Sequence, residues 1–246
     1  MNHRFKTYLL IGISLAAFVT MLSISPIRQD PAFHNFADGR EIVSIPNCMN
    51  VLSNLPFLLL GTAGLWMIKK SRLNGAFEEM RTSCTVFLVG ILFTGIGSAF
   101  YHLHPNNSTL IWDRLPMTIS FMSLFSILTG TMIDIKLGKK ILWPLIALGI
   151  FSVWVWTLYD DLRLYALVQF LPMVLMPLIL VLYRNNNNLK KYFWLMMLFY
   201  GIAKVFEALD SETYFALGII SGHSIKHLFA ALVPFIFLLG LRRKAK

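Results

Sequence analysis

The chain has 246 residues, of which 57% are hydrophobic and only 14% charged, with a mean hydropathy of +0.65. A soluble domain carries about a quarter charged residues, so this composition excludes one and points to an all-α, polytopic membrane protein. The formal charge of +10 comes from 22 Lys and Arg against 12 Asp and Glu. These basic residues stand in short clusters between apolar runs, a pattern of membrane topology that speaks against a nucleic-acid partner. The two cysteines, Cys48 and Cys84, have no metal-ligand spacing and, by the topology below, lie at opposite faces, which speaks against a disulfide.

The first apolar run, Tyr8 to Ser25, follows Arg4 and Lys6 and so resembles a secretory signal, but Pro26 directly after Ser23-Ile24-Ser25, with no small-x-small site elsewhere near the end, argues against cleavage and for a retained helix. A polar stretch, Ile27 to Pro46, has mixed charges and no helical period. Seven more apolar runs follow: Asn47 to Ile68, Cys84 to Tyr101, Leu115 to Ile133, Ile141 to Leu158, Leu164 to Tyr183, Tyr192 to Ala208 and His223 to Leu241. Each is about 17 to 22 residues long, enough to span a bilayer as a helix. Trp112, Trp143, Tyr183 and Tyr192 lie near run ends, where interface anchors belong. The expected organisation is a transmembrane helix within 1–26, an extracytoplasmic linker at 27–46 and a seven-helix core at 47–246.

Orientation follows from the loops. Clusters at Arg4 to Lys6, Lys69 to Arg81, Lys136 to Lys140, Arg184 to Lys191 and Arg242 to Lys246 hold sixteen Lys and Arg, whereas the alternate side holds four, Arg28, Arg40, Arg114 and Arg163. The richer side is expected to be cytoplasmic, with both termini on it.

That topology brings His102, at the end of the third run, Asp113, just before the fourth, and His223 and His227, at the start of the eighth, to one extracytoplasmic depth. Ionisable residues at membrane depth are costly and usually bind or react. Histidines four apart lie on one helix face about 5 to 6 Å apart at Cβ, which suits two imidazoles to one ion. His102 would complete a three-ligand site with a position left for water, and three imidazoles without thiolate or a carboxylate triad suit zinc. Zinc so held lowers the pKa of water to near 7. Asp113 could then move protons, and Ser98, one turn before His102, could donate to an oxyanion or steady the ligands. His104 reads as a loop residue, and His3 and His34 as solvated. Lys204 and Glu207 read as a structural pair, and Lys226 as a side chain snorkelling outward.

Ser98-x-x-x-His102, Asp113 within Trp112-Asp113-Arg114-Leu115-Pro116-Met117, and His223-x-x-x-His227 together resemble the signature of the alkaline ceramidase family. This family belongs to a wider group of seven-helix hydrolases that includes the adiponectin and progestin receptors. Ile45 to Pro56, with its Asn50-x-x-Ser53-Asn54 element, resembles the family's first core helix, and the likeness runs from about Asp38 to the C-terminus. The resemblance implies zinc on His102, His223 and His227, Ser98 and Asp113 in the catalytic shell, and hydrolysis of ceramide or a related lipid amide within the bilayer to a sphingoid base and a fatty acid. Eukaryotic members bind calcium through an acidic N-terminal segment. Here Asp38, Glu41 and Asn47 could form only a remnant Ca2+ site, Asn47 standing where the family has glutamate. A receptor with the same zinc core and little turnover stays open from sequence; a metal transporter would need polar residues continuing across the bilayer, and inward of Ser98 the third run is mainly apolar apart from Thr94, which argues against it.

Overall fold

The computed structural model describes residues 2–70, 73–183 and 188–242; Arg72, Arg184, Arg243, Lys244 and Lys246 of the basic clusters, and the side chain of His3, lie outside them. The described residues form no β-strand, only isolated bridges between Ile42 and Ile45 and between Leu73 and Arg242. Helix α1 spans His3–Ser23 and is followed by a 3-10 turn, Pro31–His34. The short α2, Cys48–Leu52, and α3, Leu55–Lys70, come next, then a four-residue α4, Ala76–Glu79. The long helices α5, Arg81–Leu103, α6, Asn107–Met132, α7, Ile135–Tyr159, and α8, Arg163–Leu182, follow. The chain closes with α9, Lys190–Ala208, α10, Asp210–Leu217, and α11, Gly222–Leu241.

Seven of these spans are long and apolar enough to cross a membrane, α1 among them and α2 with α3 counted as one, so the protein is an all-helical, multi-pass membrane protein. An eighth crossing is present if α9 and α10, bent by 79° across Leu209, count as one. The run Tyr192 to Ala208 falls short alone because α9 carries Lys190, Lys191, Lys204 and Glu207. The second run is also broken. Ser53 and Asn54 donate side-chain hydrogen bonds back to the Asn50 carbonyl at 2.9 and 2.8 Å, and Pro56 cannot donate one, so α2 stops before α3 starts.

Two expectations about helix ends need correction. Asp113 does not stand before a helix but two turns inside α6, because the preceding loop is only three residues long and Asn106 closes it with a capping box. The Asn106-Asn107-Ser108-Thr109 stretch is thus a helix start. Tyr183 is buried and within 3.4 Å of the Thr7 hydroxyl of α1, whereas Trp112 and Trp143 are exposed on the bundle surface, as anchors should be.

The largest apolar core joins α3, α5, α6, α8, α9 and α11 around Phe87, Leu88, Ile127, Phe193 and Phe237. At one end of the bundle, Asn74 donates to the Leu241 carbonyl. At the other, the linker lies across the helix ends: Leu162 N–H bonds the Ile27 carbonyl at 2.8 Å, Gln29 N–H the Asp160 carboxylate at 3.0 Å, and Arg40 the Ile219 carbonyl at 2.7 Å. Both cysteines are buried and reduced.

Candidate metal centre

Beneath this linker the structure brings together residues from α5, α6 and α11. Helices α5 and α6 approach most closely at Gly97, where any Cβ would overlap the Trp112 carbonyl oxygen. Glycine there sets His102 and Asp113 at one level. Gly222 does the same for α11, since a Cβ would run into the Phe206 and Leu209 carbonyls where α9 bends.

The imidazoles of His102, His223 and His227 converge, with ring centroids 4.8 to 5.1 Å apart and one nitrogen of each within 4.8 Å of the others. All three rings are buried. Nε2 of His102 lies 3.3 Å from Nε2 of His223. The Ser53 hydroxyl spends its one proton on the Asn50 carbonyl and lies 2.8 Å from Nδ1 of His227. Nδ1 must therefore carry the proton, leaving the lone pair of Nε2 free. Nδ1 of His102 is buried without a hydrogen-bond partner. Ring nitrogens of three imidazoles drawn together in an apolar shell, with no carboxylate paired to them, are unfavourable alone and suit a cation. The donor set thus fits a metal ion with nitrogen preference. Among the described residues this is the only group of three or more His, Cys, Asp or Glu that could hold one.

Several supports were not singled out as such in sequence. Phe36 of the linker covers two of the rings, with centroids 4.6 Å from His102 and 4.4 Å from His223. The Asp210 carboxylate accepts the His223 N–H at 2.7 Å and the Ala37 N–H at 3.0 Å, clamping the linker to the start of α11. Asn50 accepts from Ser224 at 2.7 Å and donates to the Asp38 carbonyl. The only earlier signal was the Asn50-x-x-Ser53-Asn54 spacing; nothing marked Phe36 or Asp210. His34 is a structural surprise too: its ring bonds the Tyr101 hydroxyl at 2.9 Å and Asn107 at 3.0 Å, so it is tied down and not merely solvated.

Of the three residues read as a calcium remnant, Asp38 is buried and gives both carboxylate oxygens to Arg40, at 2.8 and 2.7 Å, while Asn47 donates to the His102 carbonyl at 3.0 Å and Glu41 is exposed. Asp38 and Asn47 brace the site; with its carboxylate already held by a guanidinium, Asp38 offers little to a hard cation that needs several oxygen ligands.

Ser98 and Asp113 face each other in a cavity of about 240 Å³ that also reaches His227. Its far wall carries Lys204, Glu207 and Lys226. Lys204 and Glu207 do pair, but Lys226 does not snorkel outward: its Nζ donates to Glu207 at 2.7 Å, making a three-residue ion cluster inside the bundle. One carboxylate between two ammonium groups, close to polar walls, outweighs the reach to the surface. Phe57, Met117 and Tyr200 are shared with a second cavity of about 140 Å³ that runs between Phe87, Ile91, Leu124 and Met176. The polar groups there are uncharged, Thr94, Ser120, Gln169 and Tyr200, which gives no ladder of ion ligands across the bundle and disfavours a transporter.

A family model described as Ceramidase matches residues 42–241 of the chain, from the end of the linker to the end of α11. No curated protein matches it.

Proposed function

The chain belongs to the ceramidase family and is a membrane hydrolase acting on the amide bond of ceramide, and from that premise we propose that it is a zinc-dependent enzyme in which His102, His223 and His227 hold the ion. The observation that carries this reading is the convergence of three buried imidazoles with the proton of His227 turned toward Ser53. A zinc ion held by them would supply a Lewis acid for the scissile carbonyl and a water of lowered pKa.

The remaining work falls to the chain's own residues. The Asp113 carboxylate, at the cavity wall, takes a proton from the attacking water and returns it to the amide nitrogen, so that the C–N bond breaks to a neutral amine. The Ser98 hydroxyl donates either to the developing oxyanion or to Asp113, holding that carboxylate toward the substrate. The water's oxygen ends in the fatty acid and its protons on the amine and the acid. Phe36 keeps bulk water off the imidazoles. The 140 Å³ cavity offers a slot for part of an acyl chain, and the polar cavity a place for the headgroup. The lipid enters from the bilayer, the centre faces the extracytoplasmic side, and both termini are cytoplasmic. The division into 1–26, 27–46 and 47–246 is retained, the linker serving as a cover for the core.

The test is metal content and turnover of the purified chain. About one zinc per chain is expected, with fatty acid released from ceramide and release stopped by a chelator. His102→Ala should lose both metal and turnover, while Asp113→Asn should keep the metal and lose about 10²- to 10⁴-fold in turnover. Zinc bound without fatty acid release from any lipid amide would favour a receptor, and full activity in His102→Ala would overturn the site.

A further inference from the structure

The polar cavity carries more positive charge than hydrolysis of an uncharged amide requires. Arg114 follows Asp113 on α6, lines the same cavity and is 5% exposed. Its Nη2 donates to the Gln29 side chain at 2.7 Å, and its guanidinium lies 4.2 Å from the Trp156 ring centroid and 4.7 Å from that of Tyr165. Its Nη1 is buried with no hydrogen-bond partner. No carboxylate among the described residues forms an ion pair with Arg114, and Glu207 already answers both Lys204 and Lys226. The wall therefore presents three cations against two carboxylates, Asp113 and Glu207, and one of those cations has an unmet N–H donor.

An unmet guanidinium donor in a closed space is retained at a cost, and the groups that best satisfy it have two or three charged oxygens. Trp156 and Tyr165 hold the guanidinium in place at the cavity wall, so a ligand that reaches it need not reorder a long side chain. The location narrows the ligand further. Arg114 sits with Gln29 and Phe33 of the linker, whereas the apolar cavity suited to an acyl chain lies toward Phe87 and Leu124. The two ends of a lipid amide would be sorted to opposite sides of Asp113.

We propose that Arg114, with Lys204 and Lys226 across the cavity, receives an oxyanion on the headgroup of the lipid amide, a phosphate, sulfonate or carboxylate, so that the preferred substrate is an acidic ceramide-type lipid. This rests on the hydrolase reading of the site. Arg114 is then a specificity-determining residue, and Lys204 and Lys226 contribute long-range attraction that Glu207 only partly offsets.

The full-length enzyme as purified is given ceramide and phosphorylated ceramide of one acyl length, and binding of the matching sphingoid base, its phosphate and the free fatty acid is measured in parallel by quenching of tryptophan fluorescence. At least about a tenfold preference for the phosphorylated member is expected both in kcat/KM and in affinity of the base. Arg114→Gln should bring both ratios close to one, mainly through KM, and Arg114→Lys should restore part of them. The proposal is overturned by ratios near one in the wild type, by a proportional loss for both members in Arg114→Gln, or by fatty acid binding as tightly as the phosphorylated base, which would assign the anion to the product. If Arg114→Gln does not fold, the wild-type ratios and those of Lys226→Gln decide. Failure to hydrolyse either ceramide counts against the hydrolase reading, while the sphingoid-base affinities still measure the anion preference.

Discussion

At the scale of single residues, the centre depends on hydrogen bonds that decide which ring nitrogen is bare. Ser53 fixes the proton of His227 because its own proton is already committed to Asn50. Ser53→Ala should therefore leave the three imidazoles in place but weaken the metal by about 10- to 100-fold, read by competition with a chromogenic chelator. Glu207 is the counterpart in the cavity, the one carboxylate paired with Lys204 and Lys226. Glu207→Gln leaves two half-buried cations without an anion and should lower stability by about 3 to 5 kcal/mol, measured as a fall in the midpoint of thermal unfolding in detergent. Both roles escaped the sequence: the Asn50-x-x-Ser53-Asn54 spacing does not say which ring Ser53 meets, and Lys204 and Glu207 read as a pair of two until a third residue, nineteen positions away, turns inward to join them.

At the scale of elements, the contact between α5 and α6 and the attachment of the linker position the site. Gly97→Ala would push α5 away from the Trp112 carbonyl and tilt His102 off the level of Asp113. A loss of about 1 to 3 kcal/mol is expected, with a larger proportional loss of turnover than of stability. The linker is pinned by Asp38 and Arg40. Paired hydrogen bonds from Arg40 hold the Asp38 carboxyl below its ordinary value of 3.8. A depressed carboxyl contributes stability that is complete above its unfolded value and is lost as pH falls through the folded one. Proteolysis within 27–46 should accordingly be slow and unchanged from pH 7 to about 5 and accelerate only below about pH 4. A linker cleaved no faster at about pH 3 than at pH 7 would show that Asp38 does not anchor it.

At the scale of the whole molecule, the linker and the histidine centre share one end of the bundle and the junction of Leu73 and Asn74 with α11 marks the other. The proposed topology puts the exposed Gly39 outside and the exposed Lys139 inside. Gly39→Cys should react with an impermeant thiol reagent in intact cells, and Lys139→Cys only after the membrane is opened; the reverse result would invert the protein. Helix α1 packs on α8 with its own apolar surface open to lipid, while the linker contributes Phe36 to the centre. A chain beginning at residue 27 should thus retain some turnover, and one beginning at residue 47 should lose it through exposure of the imidazoles.

The sequence by itself determined the membrane class, nearly every crossing and the shared depth of His102, Asp113, His223 and His227. Hydropathy sums over consecutive residues, and the four-residue spacing of two histidines is a property of any helix. It left undecided that α9 bends by 79°, that Asp113 lies inside α6, that Lys226 faces inward, and that Phe36, Ser53 and Asp210 complete the centre. Only the tertiary structure decided these. Apart from the start of α6, which its own capping box sets, these features depend on how one helix is turned toward another and on partners as far apart in sequence as Phe36 and His223, which no local pattern encodes.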